Sequence, residues 1–154
     1  MMRKVILLTL FILGSEYSYS QNLLYKSSEQ ISAQFGEPND YWKGLVVYEI
    51  QSSDDWLGKY SNRLFIRYAP TNKVWDYTWN FSDRASYENA VNTLRYKSTY
   101  VKAIKYHYFY KQGEFGFIAT EENGFQIKIC SSVDLDLHIA RMEGNLDKYR
   151  VKTN

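Results

Sequence analysis

The stretch Val101–Ala140, VKAIKYHYFYKQGEFGFIATEENGFQIKICSSVDLDLHIA, carries the strongest pattern in the chain. Apolar and polar residues alternate in it with a period of two, broken by turn residues, so it reads as four antiparallel strands. In the first strand Ile104, Tyr106, Tyr108 and Tyr110 share one face, opposite Lys105, His107, Phe109 and Lys111. The second sets Phe115, Phe117 and Ala119 against Gly116, Ile118 and Thr120. The third sets Phe125, Ile127 and Ile129 against Gln126 and Lys128. The fourth sets Val133, Leu135, Leu137 and Ile139 against Asp134, Asp136 and His138.

A slip of one residue moves a whole strand to the wrong face, so register follows from asking which turns keep the apolar rows together. A two-residue Gln112-Gly113 turn pairs Tyr110 with Phe115 and Tyr108 with Phe117, and lays Phe109 over Gly116. A three-residue loop with Gly124 in the left-handed region pairs Phe117 with Ile129 and Ala119 with Ile127. The alternative Asn123-Gly124 hairpin would put Phe117 on the face of Gln126 and Lys128. A Cys130-Ser131-Ser132 loop then pairs Ile127 with Leu135 and Lys128 with Asp134.

Outward from this stretch, Tyr87, Ala90, Val91 and Leu94 make one buried helical stripe capped by Ser82 or Asp83, with Glu88, Asn89, Asn92 and Arg95 elsewhere on the helix. Before it come three strands, Leu45–Gln51, Arg63–Tyr68 and Val74–Phe81. A Pro70–Lys73 loop pairs Tyr68 with Trp75, Ile66 with Tyr77, Leu64 with Trp79 and Arg67 with Asp76. A first helix opens at a Ser27–Gln30 capping box and ends at Gly36 and Pro38. The expected class is α+β, two helices packed on antiparallel meanders in the order α-βββ-α-ββββ. The helix ending in Gly36-Glu37-Pro38 before a strand resembles, over that short stretch, small exported proteins of the β-lactamase-inhibitor-like type.

Arg3, Lys4, the apolar run Val5–Leu13 and Ser18-Tyr19-Ser20 have the form of a secretory signal peptide over residues 1–20. A single domain is expected over 21–154, with a polar and mobile tail at 141–154. The apolar run is too short to span a bilayer, so no membrane span is expected in the mature chain. No cysteine near the cleavage site offers a lipid anchor. The expected location is therefore periplasmic or extracellular. Nineteen Lys and Arg nearly balance seventeen Asp and Glu, which gives no electrostatic case for nucleic acid.

No motif asks for a catalyst or a cofactor. Cys130 and His107 would lie two strands apart and two residues offset, roughly 12 Å, too far for a nucleophile pair. Asp134, Asp136 and His138 alternate on one strand face and are the weak alternative for a metal site. The pairs Asp54-Asp55 and Glu121-Glu122 read as solvated turn acids. The segment Ser52–Ser61, read as the longest loop between strands, carries aromatic residues among polar ones. Asp55, Trp56, Leu57 and Tyr60 are accordingly the candidate binding residues. Tyr106, Tyr108 and Tyr110 are expected to pack under a helix; in the other reading part of that row is open and stacks on sugars. The expected function is an exported, non-catalytic module that binds a protein partner, with glycan or small-ligand binding as the alternative and a hydrolase third.

Overall fold

The computed structural model describes residues 22–55 and 58–145, with side chains throughout except at 51–55 and 58–62. These residues form an α+β domain of three helices and one eight-stranded antiparallel sheet. The elements in chain order are α1 (Ser28–Phe35), β1 (Asp40–Trp42), β2 (Leu45–Asp55), β3 (Gly58–Tyr68), β4 (Val74–Phe81), α2 (Arg84–Lys97), β5 (Thr99–Ile104), β6 (His107–Gln112), β7 (Phe115–Thr120), β8 (Phe125–Ser131) and α3 (Ser132–Met142). The sheet order is β1-β2-β3-β4-β8-β7-β6-β5. Two four-stranded meanders thus meet where β4 pairs with β8, and α2 carries the chain from the middle of the sheet to its far edge.

The expected order α-βββ-α-ββββ needs three corrections. First, Asp40–Trp42 is a short edge strand, folded back on Leu45–Val47 around Lys43-Gly44. Both turn residues have positive φ (50° and 79°), the pattern of the hairpin turn whose twist matches the strands. Second, the expected first strand of the four-strand stretch is two strands. Lys105 enters the left-handed region (φ 54°) and reverses the chain between β5 and β6. No Gly, Asn or Asp marks this turn, and the tyrosine alternation runs straight through it. Third, the expected fourth strand is α3.

The reason lies in an ambiguity of period. Leu135 and Ile139 alternate with polar residues, but they are also four apart, and with Ala140 they form the buried stripe of a helix. Local capping starts the helix, and its fit on the sheet keeps it. The Ser131 hydroxyl accepts from the Asp134 amide at 3.1 Å, and the Ser132 amide donates to the Glu114 carbonyl at 2.7 Å. Ile127 therefore pairs with Trp79, not Leu135, and Lys128 with Thr78, not Asp134.

The β7–β8 register is the expected one, with Phe117 opposite Ile129, Ala119 opposite Ile127 and Gly124 at φ 105°. The β3–β4 register holds for Arg67–Asp76, Ile66–Tyr77 and Leu64–Trp79. It slips at the end, where Tyr68 opposes Val74 and Trp75 is the extra residue of a bulge. The bulge turns Val74 into the core and leaves Trp75 half exposed, its indole N–H donating to Asp134 Oδ2 at 3.1 Å. In the β6–β7 hairpin the turn falls on Gly113-Glu114, so Tyr110 opposes Phe117 and Tyr108 opposes Ala119. This is a two-residue shift from the expected pairing, which keeps every side chain on its expected face.

The main core lies between one face of the sheet and the helices α1 and α2. Ile31 and the stripe Tyr87, Ala90, Val91 and Leu94 pack on Tyr48, Leu64, Ile66, Tyr77, Trp79, Phe117, Ile127 and Ile129. Each fully buried aliphatic or aromatic side chain contributes roughly 1.5–3 kcal/mol relative to exposure. Capping is as expected: Ser27 and Gln30 form the reciprocal box of α1, and Asp83 accepts from the Ser86 amide at 2.8 Å to start α2. The opposite face carries α3 over Phe109, Ile118 and Cys130. Gly116 sits beneath this helix, and a Cβ there would lie 2.6 Å from Leu135 Cβ and 3.1 Å from the Ser131 carbonyl. The glycine is therefore needed for helix-on-sheet approach, not for cover by Phe109, which opposes Ile118.

Candidate functional site

The segment expected to be a long loop is mostly strand. β2 runs on to Asp55 and β3 starts at Gly58, with pairs Ser53–Tyr60, Asp54–Lys59 and Asp55–Gly58. A one-residue bulge between Ile50 and Ser53 precedes them. The pairings of β1 with β2 end at Val47, and those of β4 with β3 begin at Asn62 opposite Phe81. The β2–β3 ribbon thus runs past β4 by four residues of β3, about 14 Å of strand. Asp55 and Tyr60 belong to this ribbon. Trp56 and Leu57 lie outside the described residues. The sequence hid the strands because Ser52-Ser53-Asp54-Asp55 is polar throughout and poor in β-formers.

The metal alternative loses its geometry. Asp134, Asp136 and His138 are on α3, where a step of two residues turns about 200° around the axis, so Asp136 leaves the side shared by the other two. The Asp134 carboxylate accepts from the Ser131 cap hydroxyl and from the Trp75 indole, while Asp136 pairs with Lys111 at 2.6 Å. His138 is half buried, and burial, Lys128 and Arg141, in that order, hold its pKa below the usual histidine value. Among the described residues no group of three His, Cys, Asp or Glu is placed to hold an ion.

Cys130 is buried beneath α3, its thiol facing the Gly116 carbonyl at 3.8 Å and pushed up to about 12 chiefly by burial. His107 stacks on Phe109 and lies 3.5 Å from a Glu122 oxygen. By register it sits two strands and four residues from Cys130, about 16 Å, farther than the sequence register implied. Of the two acidic pairs, Asp54-Asp55 falls in the projecting ribbon, while Glu121 pairs with Arg84 and Glu122 faces His107.

The tyrosine row divides. Tyr110 is fully buried, Tyr106 stands exposed at the β5–β6 turn, and Tyr108 is partly open. Full packing under a helix is thus corrected for Tyr106 and Tyr108. The cause is the extra hairpin, which takes Tyr106 out of the sheet face.

Tyr108 forms one wall of an open groove of about 310 Å³ between α2 and the β6–β7 strands, lined also by Tyr87, Glu88, Val91, Asn92, Arg95 and Glu121. Several lining residues are held by neighbours. Tyr87 packs edge-on against Phe81 at 5.9 Å and beside Phe125 at 5.5 Å. Burial first, then Glu121, raises its hydroxyl pKa, so it stays a neutral donor. Arg95 contacts Asn92 at 3.5 Å, and a hydrogen bond with the Tyr110 hydroxyl raises its pKa further. Arg84 lies over the Phe125 ring and bridges Glu88 at 3.5 Å and Glu121 at 3.3 Å. The sequence contained the helix face but not its partner. Glu88, Asn92 and Arg95 look like ordinary solvent-facing residues until β6 is laid beside them.

No family model matches the chain, and no curated protein matches it. Among solved structures it is similar to a DUF4309 family protein (YjgB) from Bacillus subtilis subsp. subtilis str. 168, at 10% identity and a TM-score of 0.45, over 70% of this chain and 79% of that one.

Proposed function

We propose that the protein is an exported, non-catalytic module whose β2–β3 ribbon contacts a protein partner in the cell envelope or outside the cell. The observation that supports this is the ribbon's run past the strands on either side of it. A two-stranded ribbon is marginally stable alone. It offers unpaired backbone edges along both sides, the usual template for strand addition by a partner. Trp56, Leu57 and Tyr60 supply the apolar anchors that such contacts use. Export rests on the sequence of residues 1–20, and no helix among the described residues is long and apolar enough to cross a membrane.

The test is capture from native envelope and culture-medium extracts, with the chain from Gln21 beside a Trp56→Ala/Tyr60→Ala variant of equal melting temperature. A partner retained by the first and lost by the second is the expected result. Capture by both equally removes the ribbon tip from the reading. Cell fractionation tests export separately, and recovery of the full-length, uncleaved chain in the cytoplasm would end that part of the proposal.

A further inference from the structure

The geometry points to the α2–β6 groove as a second site, independent of the ribbon, that binds a neutral oligosaccharide. Three observations carry this. The first is shape. The groove is open and of a size for one or two sugar rings, in the range of small-ligand sites. Exposed tyrosines stand on the same helix and on the facing strands. Tyr96 follows Glu88 and Asn92 at helical spacing on α2 and is 91% exposed, while Tyr100 and Tyr108 on the facing strands are 54% and 36% exposed. Tyr100 is fixed by an edge-on contact with buried Tyr110 at 5.7 Å. Tyrosines kept open beside a packed core offer ring faces to the apolar C–H surface of a sugar.

The second observation is charge. The lining carboxylates Glu88 and Glu121 both pair with Arg84 beside the groove, and Arg95 is the third lining charge, so with Arg84 counted the charges cancel. A cationic ligand would have to displace Arg84 from these carboxylates, and an anionic one would sit beside both of them. A ligand rich in hydroxyls meets neither obstacle, because it donates to carboxylates and accepts from guanidinium and amide groups without separating them.

The third is preorganisation. Tyr87, Arg84 and Arg95 are held by rings and hydrogen bonds within the protein, so little side-chain freedom is left to lose on binding. Planar carboxylate, amide and guanidinium groups beside a tyrosine face are the chemistry that reads vicinal hydroxyls.

The experiment is an NMR titration of the isotope-labelled protein with neutral oligomers (cello-, malto-, manno- and chito-oligosaccharides), an acidic oligogalacturonate and a cationic chitosan oligomer. At least one neutral oligomer should give saturable shifts confined to amides of α2, β6 and β7. Tyr108→Ala should weaken that affinity about tenfold, Asn92→Ala by a smaller factor, and Tyr108→Phe should leave it nearly unchanged because the ring face survives. The ribbon-tip variant Trp56→Ala/Tyr60→Ala should bind as the wild type does, which separates this site from the ribbon. The proposal is overturned if no neutral oligomer saturates, if the shifts map elsewhere, or if binding survives both Tyr108→Ala and Asn92→Ala in folded protein. Tighter, salt-sensitive binding of either charged oligomer overturns it equally.

Discussion

The two faces of the sheet are covered by different means. On one, α1 and α2 lie over a continuous apolar layer from Tyr48 on β2 to Tyr110 on β6. On the other, α3 covers only the β6–β8 half. Beyond it, the face relies on an ionic cluster and a small aromatic group. Asp76 is buried and takes Lys128 at 3.0 Å and Arg67 at 3.8 Å. Trp42 meets Phe65 edge-on at 6.3 Å under the Lys43 ammonium. A face covered by two helices can be apolar across most of its width. A face with half a roof must satisfy its remaining strands with paired charges and long side chains whose ends reach water.

The largest expected effect tests whether the two faces unfold as one. Phe117→Ala, in the layer under α2, should cost about 3–5 kcal/mol by urea denaturation. Leu135→Ala, in the smaller cluster, should cost about 2–5 kcal/mol, with α3 amides losing exchange protection before those of α2. Equal loss of protection in both helices would show one cooperative unit. Next, Gly116→Ala should cost about 1–3 kcal/mol, because the new methyl meets a Cβ and a backbone carbonyl that cannot swing aside. A neutral outcome would mean α3 is not seated so closely.

The ion pairs offer a smaller and cleaner contrast. Asp76→Asn should cost about 1–3 kcal/mol, since its carboxylate is buried and holds two cations. Glu49→Gln breaks the exposed Arg63 pair at 2.9 Å and should cost at most about 1 kcal/mol. If both changes have the same effect, burial of Asp76 does not matter energetically.

The smallest effect is pH-dependent. The folded state lowers the pKa of His138, which faces Lys128, Arg141, Asp76 and Asp134. Below the usual histidine value of about 6.5 the unfolded chain takes up a proton that the folded chain resists, so stability falls as pH drops through that value. Above it the residue contributes nothing to the slope. Melting temperature measured from pH 7.5 to 5 should decline less in His138→Gln than in the wild type.

Much of the fold can be read from the chain alone. The capping box at Ser27, the Asp83 cap, the stripe Tyr87–Leu94 and the β7–β8 register are all encoded within a few residues of where they act. The failures share a cause. Val133–Ile139 fits two periods at once, and the Ser131 cap needs the seat for Leu135 over Gly116 to select the helix. The β5–β6 turn uses Lys105 in a conformation that local propensity disfavours, so its energy must come from the pairs Ala103–Tyr108 and Lys102–Phe109 on either side. The candidate groove was illegible for the same reason, since its walls come from α2 and from strands beyond the crossover.

What the sequence determined by itself was the α+β class, the boundaries and caps of the first two helices, and the apolar face of each central strand. These depend on period, side-chain volume and local hydrogen bonds. The tertiary structure decided the single eight-stranded sheet, the reach of the β2–β3 ribbon, the third helix, and which tyrosines are left to water. Each of these depends on contacts between residues far apart in the chain, where a pattern equally compatible with strand, helix or turn is settled by the surface it must fit.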